Sequence, residues 1–185
     1  MNWDEYSNLR GQHSLLSASN NSWTNYDTIK FIQWLYNSDM KERGTRLHAY
    51  ASEAIQLKRK QADVDNISSF INDCIDMNMH SEVVLFYSKY AFVTADAITD
   101  VDDTVYIFDL KTGQNPANFR QLYVYAAYYC LRNKINPFSY KYVFRIYQFE
   151  EYEELEGDPN EVKRLVDLIV EFEGIIRSTK EVNGV

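Results

Sequence analysis

The feature that most constrains the fold is a change of pattern in mid-chain. Residues 82–98, EVVLFYSKYAFVTADAI, are rich in β-branched and aromatic side chains and lack a 3.6-residue period, which predicts two strands. Residues 104–110, TVYIFDL, predict a third. The acidic turn of Asp100, Asp102 and Asp103 makes it a hairpin with the strand before it. Such a meander needs helices to cover it, and the flanks have helical spacing. Residues 26–36 carry Ile29, Phe31, Ile32, Trp34 and Leu35, with Asn25 or Asp27 available as a cap. Residues 40–61 form a second helix with a stripe of Leu47, Ala51, Ala54, Ile55 and Leu57, which Lys58, Arg59 and Lys60 close against the helix dipole. A third helix covers 63–77.

Past the meander, residues 118–132 return to helical spacing through Phe119, Leu122, Tyr125, Ala126, Tyr129 and Cys130. Residues 140–147, YKYVFRIY, read as a strand. A last helix opens at Asp158-Pro159, with Pro at its first position, and carries Val162, Leu165, Val166, Ile169, Phe172 and Ile176. This order predicts a mixed sheet with helices on its faces, an α/β or α+β fold.

At 185 residues, with six Gly, three Pro and no internal repeat, the chain suits a single domain over residues 1–185. Residues 1–25 read as a polar arm anchored by Leu15, Leu16 and Trp23, residues 44–147 hold the motifs, and residues 158–177 form the C-terminal helix. The fifteen Tyr and ten Phe suit half-buried packing better than base stacking. Cys74 and Cys130 have no CxxC spacing and read as core fillers in a reduced, cytoplasmic protein. No apolar run approaches the roughly 18 residues of a membrane span, so no membrane partner is expected. The acidic run from Glu150 to Asp158 reads as a solvated loop turned away from any polyanion, or as an acidic patch for a protein partner. The last helix completes the core, or lends part of its stripe to pairing subunits in a homo-oligomer.

A net charge of -8 excludes a protein whose whole surface embraces phosphate. Contact with DNA must be local, and metal ions held by carboxylates would supply positive charge there. The candidate carboxylates are Asp96 and Asp109, which two strands joined by a tight turn bring together although they are distant in sequence. Two converging carboxylates repel unless a cation lies between them, and Mg²⁺ or Mn²⁺ prefers oxygen ligands. Lys111 lies two residues after Asp109, on the same face of a strand, where an ammonium eases the formation of hydroxide and neutralises charge building on a phosphate. A lone D-x-K is more readily an ion pair on a solvated face. Its company adds weight: Gly44-Thr45-Arg46-Leu47-His48 upstream, and Gln121 and Tyr125 four apart on one helix face downstream.

With GTRLH, FVTAD, DLKTG and QLYVY in this order, the chain resembles the RecB-like nucleases of the PD-(D/E)XK superfamily. Their pattern is G-x-x-x-H, G-x-x-D, D-x-K-T-G and Q-x-x-x-Y. Within that branch it is similar to compact exonuclease-like proteins of bacteriophages, related to the CRISPR-associated RecB-like exonucleases, and the segment Arg145 to Gln148 is similar too. The resemblance implies an αβββαβ core with added N-terminal helices and a C-terminal helix. It implies Mg²⁺ or Mn²⁺ held by His48, Asp96, Asp109 and the carbonyl of Leu110, with Lys111 serving the attacking water. Gln121 and Tyr125 would shape the site and touch the substrate strand, and Thr112 and Gly113 would turn the chain away. Glu53 is either an assistant to the site or a solvated charge. Val93 stands where the family has Gly, and two cysteines cannot supply the four thiolates of the iron–sulfur cluster found in larger relatives, so none is expected. The implied activity is a metal-dependent exonuclease acting on DNA in phage-type recombination, replication or repair. The alternatives are an inactive binding or counter-defence protein of the same fold, or a structure-specific endonuclease. The basic residues around the His48 helix suit either a solvated face or guidance of a phosphate backbone.

Overall fold

A computed structural model describes residue 16, residues 22–62 and residues 65–182. Most of the expected arm, including Leu15 and the side chain of Trp23, lies outside the described residues. Contacts divide the chain into two compact units, residues 1–42 and 43–185. In the first, a 3-10 turn, Ser22–Asn25, leads into helix α1, Thr28–Gln56, which continues into the second unit. Asp27 caps α1, its Oδ1 accepting the Lys30 N–H at 2.7 Å, and Phe31 stacks on Trp34 with ring centroids 5.5 Å apart.

The two helices expected over 26–61 are thus one. Asn37, Ser38 and Asp39 are weak helix formers at roughly 0.5 kcal/mol each, but none lacks an N–H, and restarting a helix would require a second costly nucleus. Gly44, which falls within the expected second helix, is buried inside α1. A Cβ there would lie 2.7 Å from Thr112 Oγ1, so glycine is what lets the helix and the DLKTG loop approach. The helix stops where Lys58 takes a left-handed φ of 51°. The Lys58 N–H then bonds to the Ile55 carbonyl and the Arg59 N–H to the Ala54 carbonyl, a Schellman ending. Lys58, Arg59 and Lys60 therefore stand just beyond the helix rather than in its last turn.

In the second unit, five strands form one mixed sheet in sequential order: β1 (His80–Ser88), β2 (Ala91–Val101), β3 (Thr104–Leu110), β4 (Lys141–Gln148) and β5 (Glu151–Gly157). Neighbours are antiparallel except β3 and β4, which are parallel. A parallel pair needs a crossover, and helix α3, Arg120–Asn133, provides it. The β2–β3 turn is the acidic one expected, a two-residue loop with Asp102 and Asp103 at φ 49° and 58°, the signature of a primed hairpin turn. Helix α2, Asn66–Asp76, is capped by Asp65, which accepts the Ser68 N–H at 2.8 Å, and helix α4, Pro159–Val182, follows β5.

The acidic run is not a loop, contrary to the sequence reading, but the edge strand β5. An edge strand has little apolar surface to bury, so alternation is faint; Leu155 packs against the core and Glu154 pairs with Arg145 of β4 at 2.6 Å. On one face of the sheet, Leu85, Ala95, Ile98 and Ile107 meet Leu122 and Ala126 of α3 and Val162 of α4. On the other, Ala97, Phe108, Leu110 and Tyr147 meet Ala51 and Ile55 of α1 and Phe70 and Ile71 of α2. Each core holds one of the cysteines. Only the first half of α4 joins the core, whereas Phe172 and Ile175 are exposed.

Strand alternation should put Ala95 and Ala97 on one face. They lie in opposite cores, so alternation slips by one residue at Asp96. The slip is shared by β1, because the register from Ser81↔Ala97 to Val83↔Ala95 sets Glu82 opposite Asp96, and Glu82 has the left-handed φ of 52°.

At the end of β5, a Cβ on Gly157 would lie 2.6 Å from the Phe144 ring and 2.9 Å from Tyr142 Cβ, both fully buried. Gly157→Ala is expected to lower the unfolding free energy in urea by about 1–3 kcal/mol, the usual cost of overpacking. An unchanged midpoint would mean that this corner of the core yields freely.

Candidate active site

The β2–β3 ladder ends at Ala97↔Phe108, and the next residues on the two strands are Asp96 and Asp109. Beyond the last rung, Asp96 Oδ2 accepts the backbone N–H of Leu110 at 2.9 Å, so the carboxylate replaces the missing rung and is fixed by it. The same oxygen lies 3.4 Å from Nδ1 of His48, one helical turn after Gly44 on α1. Close packing of α1 at Gly44 is thus what brings the imidazole within reach. Glu82 enters from β1, and ligand atoms of His48, Glu82 and Asp96 all lie within 4.8 Å of one another.

Asp109 is the buried member, with its side chain 1% exposed. Neither carboxylate oxygen has an aligned hydrogen bond; Lys111 Nζ approaches Oδ2 to 2.8 Å as a charge contact. Lys111 Nζ also donates to Gln121 Oε1 at 2.7 Å, and Gln121 Nε2 donates to the Tyr125 hydroxyl. Asp109, Lys111, Gln121 and Tyr125 therefore form one polar chain from the end of β3 to the first turns of α3. Gln148, at the end of β4, fastens the connecting loop: its Nε2 donates to the carbonyls of Gly113 and Asn115, and its Oε1 accepts the Ala117 N–H.

The electrostatics point one way. Burial, then the charge of Asp96, raises the Asp109 carboxyl to about 6 against the opposing pull of Lys111. The hydrogen bond to Asp96 raises His48, with burial opposing it. Burial, then Asp96, raises Glu82, and burial, then Asp109, raises the Tyr125 hydroxyl. Each group is shifted toward holding a proton, with burial leading for Asp109, Glu82 and Tyr125 and the hydrogen bond to Asp96 leading for His48. The His48, Glu82 and Asp96 donors suit a hard divalent cation, for which carboxylate oxygens and an imidazole are suitable ligands; Asp109 stands outside that group of three and faces Lys111 instead.

Of the residues singled out by sequence, His48 and Asp96 meet directly, and Asp109, Lys111, Gln121 and Tyr125 meet as a chain. Leu110 gives its N–H to Asp96 while its side chain is buried in the α1 and α2 core. Glu53 is exposed and stands outside the carboxylate cluster. Val93 packs against the α3 and α4 core. Sequence reasoning missed Glu82. Its position opposite Asp96 emerges only from the hairpin register, which shifts between Phe86 and Ser88, so counting outward from the turn fails without knowledge of the bulge. Compared with family models, curated proteins and solved structures, the chain matches none.

A carboxyl whose pKa is raised on folding stabilises the native state below its unfolded value of 3.8 and ceases to do so as pH rises through about 6. Asp109→Asn should therefore stabilise the protein in chelator, by at most about 3 kcal/mol above pH 7 and by little at pH 4. Thermal melts at the two pH values check this; equal effects at both would mean that Asp109 is ionised without strain.

Proposed function

We propose that this chain is a metal-dependent deoxyribonuclease of the PD-(D/E)XK type, hydrolysing phosphodiester bonds, with an exonuclease mode. The observation that carries this reading is the buried Asp109 ion-paired with Lys111 at 2.8 Å, two residues further along β3 and its continuation. A carboxylate is rarely buried against a half-exposed lysine for packing alone, and perturbed groups of this kind gather where chemistry is done. The element order supports it as well: α1, the β1–β2–β3 meander, α3 and the parallel strand β4 follow the αβββαβ order, with α2 inserted and β5 and α4 added.

His48, Glu82 and Asp96 would hold Mg²⁺ or Mn²⁺, with Asp109 beside them. Such an ion, when bound, supplies Lewis-acid stabilisation of phosphoryl charge and a nucleophilic hydroxide at neutral pH. Leu110 and His48 orient Asp96 through their contacts with its Oδ2. Lys111 holds a positive charge at the mouth of the Asp109 pocket, where it stabilises negative charge on a phosphate oxygen or on the attacking water. Gln121 fixes the direction of the ammonium, and Tyr125 fixes Gln121. The local supply of cations answers the net charge of -8, since DNA would meet positive charge at this site rather than over the whole surface. A free end reaches such a site in a small protein more readily than a continuous duplex does, and phage-type recombination, replication or repair is the setting that the resemblance suggests.

The test is degradation of end-labelled linear and closed circular DNA with Mg²⁺ or Mn²⁺. The wild type should consume linear DNA alone, and Lys111→Ala should lose about 100-fold or more of the rate, the scale of removing one electrostatic stabiliser. Fragments from circular DNA would indicate an endonuclease. A folded wild type that cleaves neither substrate would overturn the reading.

A further inference from the structure

We propose that the open face of the β1–β2 hairpin is a stacking platform for the bases of a single DNA strand running to the carboxylate cluster. The direction of that strand rests on the nuclease reading; the platform itself rests on separate observations. Beyond Glu82 and Asp96, Leu85 is buried and Val83 and Val93 pack toward α3 and α4. The alternate residues Val84, Phe86 and Phe92 are 50%, 53% and 56% exposed. Phe86 and Phe92 are direct cross-strand partners, and their rings stack with centroids 6.3 Å apart and an interplanar angle of 24°. A cross-strand aromatic pair ordinarily strengthens a core. This one is half open to water.

Charge selects the occupant. From Val83 to Ala95 the chain carries no Asp or Glu, although it holds 27 acidic residues in all. Lys89 sits at the hairpin tip, its Nζ 4.6 Å from the centre of the Tyr90 ring, and Arg132 of α3 donates to the Val84 carbonyl at the outer edge of β1 at 3.0 Å. An acid-free hairpin with aromatic faces and two cations, on an otherwise acidic protein, suits a strand with a charged backbone and stackable bases.

Continuity with the cluster fixes the path. Phe86 and Phe92 lie four residues along their strands from Glu82 and Asp96, about 13 Å at ~3.3 Å per residue. That is about four nucleotides of a stacked strand at ~3.4 Å each. A strand whose end lies at Asp96 and Asp109 would therefore have its next bases over the two rings.

The experiment is fluorescence anisotropy of a labelled oligothymidylate, in chelator and in Ca²⁺, with the wild type, F86L/F92L and F86Y/F92Y. Leucine keeps the apolar area and removes the π-faces, whereas tyrosine keeps both. The wild type and the Tyr pair should bind alike, and the Leu pair should bind about 5- to 100-fold more weakly, the scale of losing base stacking. Three results would overturn the platform: no binding by the wild type, equal binding by the Leu pair, or a change in the Leu pair confined to self-association, which would mark the face as a contact between copies. Cleavage is read separately. Aromatic-dependent binding without cleavage would remove the nuclease reading and leave the platform, and cleavage with unaffected Leu-pair binding would do the reverse.

Discussion

Asp109 is buried with neither carboxylate oxygen in an aligned hydrogen bond, and most of the site is arranged around that fact. An ionised carboxylate in this position has a large desolvation cost unless a cation compensates it. Lys111 compensates in part, and must itself be held by Gln121 and, behind it, Tyr125. Those two stand one turn apart on α3, and α3 is placed by the crossover between the parallel strands β3 and β4. The loop into α3 is fastened by Gln148 at the end of β4. The parallel pair in the sheet and the polar chain in the site are thus linked consequences of one topology.

The second constraint is the slip at Asp96. Regular alternation would carry β2 through this position with Ala95 and Ala97 in the same core; instead they fall in opposite ones. The ladder loses a rung, and the Asp96 carboxylate supplies a substitute by accepting the Leu110 N–H. The positive φ of Glu82 across the hairpin absorbs the matching irregularity in β1. Backbone strain of this kind, roughly 1–3 kcal/mol where it occurs, persists when the surroundings over-determine it. Here it coincides with the convergence of three potential ligands.

Much of this was legible in the chain. The two strands within 82–98 and the strand at 104–110 correspond to β1, β2 and β3, because β-branched and aromatic runs, the last set off by an acidic turn, have few other readings. The D-x-K spacing put Asp109 and Lys111 on one face, and the four-residue spacing of Gln121 and Tyr125 put them on another. Three things were hidden, each for a physical reason. The helix over 28–56 is continuous because weak formers at 37–39 cost less than a second nucleus. The strand β5 is an edge strand whose glutamates face solvent and a single arginine rather than a core. Glu82 joins the cluster only through a bulged register that local pattern does not encode. Gly44 has a role that no local pattern announces: it lets α1 approach Thr112.

The central claim is that these carboxylates form a divalent-cation site, and the most direct measurement is titration with Mn²⁺, following loss of the free-ion electron paramagnetic resonance signal at pH 7.5. Saturable binding by the wild type, weakened at least about tenfold in Asp96→Asn as expected when a metal site loses a ligand or its orienting partner, is the predicted result. No saturable binding, or equal affinity in the variant, would contradict it.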